Sequence, residues 1–372
     1  MASTLKLTPS VLQFYIDNAE IPYEILQEKC KYIDLFLSGE KNPTFKQISD
    51  VAKKLNVPTG LLLLPKPIEI DNKKLEFRTV GSTEIGKMSE NLRDTIADME
   101  KKQDFLRDIV EDDLDFIGSI SINDDLESTT TKIRKLLGID VLWQSEVDNN
   151  SDAFKFFRKR LNSLGISVFL NGIVGQHTRR PLDIKEFRGF TLIDKKVPLI
   201  FINSTDTDAG RLFTLIHEFI HLVLGSSGIV NKIYLDDYSF SPLEAFANKV
   251  TAEILVPKTE LLNKKSNDIP ALARNFKVSE YVIVRRLLDC QILTQADYSD
   301  YVKELEKLYK SRKENQKKSS GGNYYNTAQS RIDNSFFHIV KNAIHSDKVT
   351  YTKAFDVLGV SARSFKGLEA IM

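Results

Sequence analysis

Residues 217 to 221 read His217-Glu218-Phe219-Ile220-His221 in a chain that has five histidines in all. On an α-helix, side chains at i and i+4 share a face, so two imidazoles at this spacing can reach one metal ion. Glu218 is rotated about 100° from His217, toward the water that a catalytic zinc site keeps. Such a site takes three protein ligands and leaves the fourth position for water, so a third ligand is needed. The helix expected after the next loop offers Glu244 and Glu253. Glu244 is preferred because Asn248, one turn on along the same face, could orient its carboxylate, whereas Glu253 sits at a different angle. The plain alternative is an exposed helix whose histidines do nothing.

The local sequence favours a helix held in a core. Asp206 to Asp208 offer N-cap groups, Gly225 offers a stop, and a helix is expected from about Ala209 to Leu224. Leu212, Ile216, Phe219 and Val223 form an apolar stripe on it. Strand patterns precede it at Ile166 to Leu170, Phe187 to Ile193 and Val197 to Ile202, the last two joined through Asp194-Lys195-Lys196 as a hairpin. The strand Val197 to Ile202 is the expected place for an extended substrate to add by backbone pairing. A second strong helix runs from Pro242 to Val256 and ends at Pro257.

The segments FRGFTLID, PLIFIN, FTLIHEFIHLVLG and EAFANKVTAEILVP resemble the ImmA/IrrE family of zinc metallopeptidases, whose members carry a strand pair, an H-E-x-x-H helix and a helix reading E-x-x-A-N. The resemblance implies that His217, His221 and Glu244 hold one zinc ion per chain, that Glu218 is catalytic, and that the core is zincin-like. Val250 departs from the aromatic residue common in the family, which bears on packing rather than on the metal. The opening residues, through GEKNPTFKQISDVAKKLNVPTGLLLLPKP, and the stretch RRPLDIKEFRGF resemble the long members, which begin with a helix-turn-helix-like unit. By that resemblance, the substrate is a protein of the DNA-binding repressor or antitoxin-like class.

The expected fold class is therefore α+β, a short antiparallel sheet plus the H-E-x-x-H helix, flanked by helical, helix-turn-helix-like domains. The expected division is a helical domain at 1–66, a helical connector at 67–150, the metallopeptidase domain at 151–262 and a helical module at 263–313. A flexible basic linker at 314–330 and a small helical module at 331–372 follow. Ile48, Val51, Ala52 and Leu55 mark a buried helix face in the first of these.

His177, in a loop-like stretch before the hairpin, and Tyr234 and Tyr238, in the loop after the metal-binding helix, are candidate donors to a developing oxyanion. His338 and His345 are expected to be structural or surface residues. The rival function is a transcriptional regulator or antitoxin that binds DNA or a partner protein and whose zinc site is structural or idle. Residues 1 to 66 carry eight lysines, no arginine and seven acids, and Lys31-Tyr32-Ile33-Asp34-Leu35-Phe36-Leu37 is poor in base-reading side chains. Protein contact or core packing is thus expected there ahead of DNA.

Composition sets the outer bounds. Apolar residues make up 42% of the 372 and charged residues 28%, so sizeable cores can form, and a net charge of +1 gives no global attraction to polyanions. Cys30 and Cys290 form no metal or disulfide pattern. The chain opens without a basic and then apolar leader, and its apolar runs are far shorter than ~18 residues, so a cytoplasmic protein without membrane spans is expected.

Overall fold

The computed structural model describes residues 4–17, 23–55, 57, 59–67, 88–226, 229–230, 242–266, 268–315 and 331–370. Residue contacts divide the chain into two units, the first built from residues 1–76 with 84–90 and the second containing everything from 91 onward. The second unit therefore takes in what the sequence pattern separates into connector, metallopeptidase domain and two helical modules. Most of the expected linker lies outside the described residues.

The first unit carries α1 (Pro9–Asp17), α2 (Tyr23–Lys29), α3 (Ile33–Leu37), α4 (Phe45–Leu55) and α5 (Thr59–Leu62). Val11 and Leu12 of α1, Ile33 and Phe36 of α3 and Ile48 and Val51 of α4 are buried in one small core. The apolar positions of α3 are thus spent on packing. Its acid, Asp34, accepts hydrogen bonds from Tyr23 Oη and Gln27 Nε2.

The second unit begins with α6 (Glu90–Arg107), α7 (Leu126–Leu137), a 3-10 turn (Trp143–Glu146) and α8 (Asn150–Ser163). The strands are β1 (Ser167–Asn171), β2 (Ile173–Val174), β3 (His177–Pro181), β4 (Gly189–Leu192) and β5 (Leu199–Asn203), followed by α9 (Asp208–Leu224) and β6 (Ile229–Val230). Then come α10 (Pro242–Leu255), α11 (Lys258–Asn263), α12 (Ile269–Phe276), α13 (Glu280–Asp289) and α14 (Gln295–Asn315). The last three helices are α15 (Asn334–His345), α16 (Tyr351–Leu358) and α17 (Ala362–Glu369). His338 and His345 are exposed on α15.

The main sheet has the order β1-β5-β4-β6, and β2 and β3 form a separate ribbon. The expected hairpin is present as the antiparallel β4–β5 pair, with Gly189 opposite Ile202 and Leu192 opposite Leu199. The expected all-antiparallel sheet needs a correction, because β1 pairs parallel to β5, Ser167 opposite Leu199 through Asn171 opposite Asn203. The excursion through β2, β3 and β4 brings the chain back in the same direction, which local periodicity does not encode.

Alternation along the strands sends two apolar faces in opposite directions. Val168, Ile200 and Ile202 join Leu212, Ile216 and Phe219 of α9 in the main core. On the other face, the rings of Phe190 and Phe201 stack at 5.1 Å. Phe169 meets Phe336 of α15 at 5.3 Å, and Phe336 also meets Phe105 of α6. Gln103 of α6 donates 3.0 Å hydrogen bonds to the carbonyls of Leu192 and Val197, tying that helix to the sheet.

Helix α9 is fixed at both ends. Thr207 caps its start by accepting from Gly210 N at 3.1 Å. At its end Gly225 adopts φ +67, and the backbone N–H groups of Gly225 and Ser226 donate to Leu222 O and His221 O. Gly118 N and Ile120 N, from more than one hundred residues upstream, donate to Leu222 O and Val223 O. A Cβ on Gly225 would come within 3.0 Å of Gly118 Cα, so both the backbone angle and the close approach call for glycine.

The end of α10 is held in a similar way. Its final carbonyls have no intrahelical partners, and remote side chains supply the donors. Arg134 donates to Glu253 O, Trp143 Nε1 to Ile254 O, Gln144 to Leu255 O and Arg286 Nε to Val256 O. The two helices that carry the candidate ligands are thus anchored independently of any metal.

Candidate metal centre

Helix α9 is buried on nearly all sides, His217, Glu218 and His221 included, each at most 1% exposed. His217 and His221 lie one turn apart with their Nε2 atoms 3.0 Å from each other. Glu244, in the first turn of α10, places Oε2 3.2 Å from His217 Nε2 and Oε1 3.2 Å from His221 Nε2. These three residues form a group whose ligand atoms all lie within 4.8 Å of one another.

The donor set fits a four-coordinate cation. Bonds of ~2.0–2.2 Å place the ligand atoms of a tetrahedral site ~3.3–3.5 Å apart, within a few tenths of an ångström of the observed spacings. The shifts at His217 and Glu244 agree with that fit. Burial pulls His217 below the ordinary histidine value, in favour of the neutral imidazole that a metal requires. Burial alone would raise the Glu244 carboxyl, yet hydrogen bonds from His217 and His221 outweigh it and hold Glu244 well below the usual carboxylate range. His221 is shifted upward; burial opposes this, but the bond to Glu244 and the charge of Glu218 prevail. Two imidazoles facing one carboxylate make a pocket that favours positive charge.

Asn248 stands one turn after Glu244. Its Oδ1 and His217 Nδ1 are both buried without a hydrogen-bond partner among the described residues. Asn248 is nevertheless close enough to His217 to favour its protonated form. It therefore lies beside the His217 imidazole, in addition to any bearing on Glu244. On the other imidazole, Ser226 Oγ lies 3.2 Å from His221 Nδ1, where it can fix the ring's orientation. Ser226 is not singled out by the motif; it follows the helix-ending Gly225, and only the C-terminal turn brings it back.

Glu218 is fully buried, and burial pushes its carboxyl up to about 7 against the opposing influence of His221 and Thr191. Its Oε2 accepts a 2.6 Å hydrogen bond from Thr191 Oγ1, while Oε1 has no partner among the described residues. Thr191 is the residue that sequence reasoning misses. Its signal lies in strand alternation: it is opposite Ile200 on the β4–β5 pair and so shares the face turned to α9. Thr191→Val keeps the shape but leaves Glu218 without this donor, so a loss of about 1–3 kcal/mol in folding stability is expected, measurable by denaturant unfolding.

Glu253, the other acid considered as a ligand, is engaged elsewhere. Its Oε2 pairs with Arg286 of α13, and its Oε1 accepts from Lys258 N at 3.2 Å. His177 is on β3 and lines a cavity beside Phe169 and Phe201, whose rings lie on the face turned away from α9. An oxyanion-donating role for His177 does not fit that placement. Tyr234 and Tyr238 lie outside the described residues. The expected strand addition on β5 also needs correction, since β1 occupies one edge of β5 and β4 the other.

Val250, the departure from the family's aromatic residue, is buried in the main core. Among the described residues, no helix is long and apolar enough to cross a membrane. The model of the family Peptidase_M78, the IrrE N-terminal-like domain, matches residues 162–288. No curated protein and no solved structure gives a significant match. The matched segment runs from the end of α8 through α13 and contains both histidines, Glu218 and Glu244. Residues 162–288 thus carry a Peptidase_M78 domain, which supports a metallopeptidase of the ImmA/IrrE kind, and the N-terminal unit stands outside the match.

Proposed function

We propose that the protein is a zinc-dependent endopeptidase that cleaves a DNA-binding regulatory protein of the repressor or antitoxin-like class. The observation that carries the reading is the convergence of His217, His221 and Glu244 around one point, beside a carboxylate with an unpaired oxygen. Two imidazoles and one carboxylate, with a fourth position left open, suit a single zinc ion per chain. When bound, zinc polarises a scissile carbonyl and lowers the pKa of water toward ~7.

The chain's own residues supply the rest. Thr191 holds one oxygen of Glu218, which leaves Oε1 as the acceptor for a proton and, in the reverse sense, its donor to the leaving amine. The capped ends of α9 and α10 keep these groups in register. In the first unit, a nearly neutral composition favours recruitment of a protein over a phosphate backbone.

The test uses the Glu218→Gln protein as a trap in its native cell. One dominant captured protein is expected, a small DNA-binding regulator that the wild type cleaves in purified form and the variant does not. Deleting residues 1–66 is expected to weaken capture and leave the zinc in place. Recovery of nucleic acid without a protein partner, or a wild type that binds its partner and leaves it intact, would instead support a regulator with an idle metal site.

A further inference from the structure

On the face of the sheet turned away from α9, a cavity of about 290 Å³ lies between α6, the β1–β5 strands and the C-terminal helices. That volume is at the small end of pockets that enclose ligands. Its walls are mixed: Met99, Phe169, Phe201, Ile332, Phe336 and Leu358 make an apolar part, and Thr95, Asn171, Gln176 and His177 a polar one. Lys102, a residue only 8% exposed, also lines it. An ammonium group has three N–H donors. One goes to Asp98 Oδ1 at 2.5 Å, and the charge also lies 6.0 Å from the centroid of the Phe169 ring. Among the described residues no further acceptor is found for the other two donors, and a buried ammonium with unmet donors is costly.

Charge narrows what could meet them. Lys102 and Arg331 line the cavity with a single acid, Asp98, so the charged lining carries an excess of one positive charge. Arg331 Nη1 donates to Gln176 Oε1, and Lys102 is the more buried of the two cations. A phosphate dianion would exceed that charge. One carboxylate balances it, and its oxygens can accept both remaining N–H groups.

We propose that this cavity binds a small monocarboxylate with an aromatic or branched apolar body, its carboxylate on Lys102 and its body between Phe169 and Phe336. The site draws on none of the metal-centre residues and does not depend on the peptidase reading. Burial pushes the Lys102 ammonium down from its ordinary value despite Asp98, and an anion in the cavity would offset that cost.

The experiment is calorimetric titration of the full-length, metal-loaded protein with phenylacetate, with its neutral isostere phenylacetamide and with inorganic phosphate. Phenylacetate is expected to bind with a Kd below about 1 mM, and both controls at least tenfold more weakly. Lys102→Met keeps the length and apolar character of the side chain, and is expected to weaken phenylacetate binding tenfold or more while metal content is unchanged. Should that variant fail to fold, the comparison of phenylacetate with phenylacetamide on the wild type decides the matter alone. Equal binding of acid and amide, phosphate binding as tight as phenylacetate, undiminished binding by a folded Lys102→Met protein, or no binding of phenylacetate would each overturn the proposal.

Discussion

Replacing Glu218 by Gln is expected to lower peptide cleavage by ~100-fold or more while metal content stays at the wild-type level. The side chain is fully buried, and its one hydrogen-bond donor among the described residues is Thr191. The amide oxygen of Gln can accept that same bond, so neither packing nor the position of α9 should change. What is lost is the carboxylate oxygen able to take up and return a proton. The measurement is a time course of cleavage on the regulator captured by the trap, with metal measured by elemental analysis on the same preparations. Undiminished cleavage by a metal-loaded Glu218→Gln protein would remove Glu218 from the catalytic role.

The second large effect concerns the ligands. His217→Ala, His221→Ala and Glu244→Ala are each expected to bring metal content from about one ion per chain to near zero, because a four-coordinate site left with two protein ligands loses most of its affinity. Glu253→Ala is expected to keep the metal and instead lower folding stability by about 2 kcal/mol, since it strips Arg286 of its acid partner near the end of α10. The two acids lie on one helix, so the contrast between them tests the ligand assignment against general damage to α10. Metal retained in Glu244→Ala and lost in Glu253→Ala would reverse the assignment.

By itself, the sequence determined what depends on neighbours along the chain. The spacing of His217 and His221 places them on one helical face wherever that helix lies. Its limits could be read from Thr207 and Gly225, because a capping hydroxyl and a left-handed stop act within one turn. The hairpin of β4 and β5 follows from two apolar runs joined by a short polar turn.

Tertiary structure alone decided the relations between distant segments. Helical angle already favours Glu244 over Glu253, and the structure adds that Arg286, from α13, claims the second. Thr191 reaches Glu218 because β4 packs on α9, and Ser226 reaches His221 because the chain folds back at Gly225. The parallel pairing of β1 closes the edge of β5 on which a substrate strand was expected, and His177 lies on the face away from α9 because its ribbon leaves the main sheet. Periodicity records which face a residue shares with its near neighbours. It carries no information on which distant face meets it, because that is set by closing long loops around a common core.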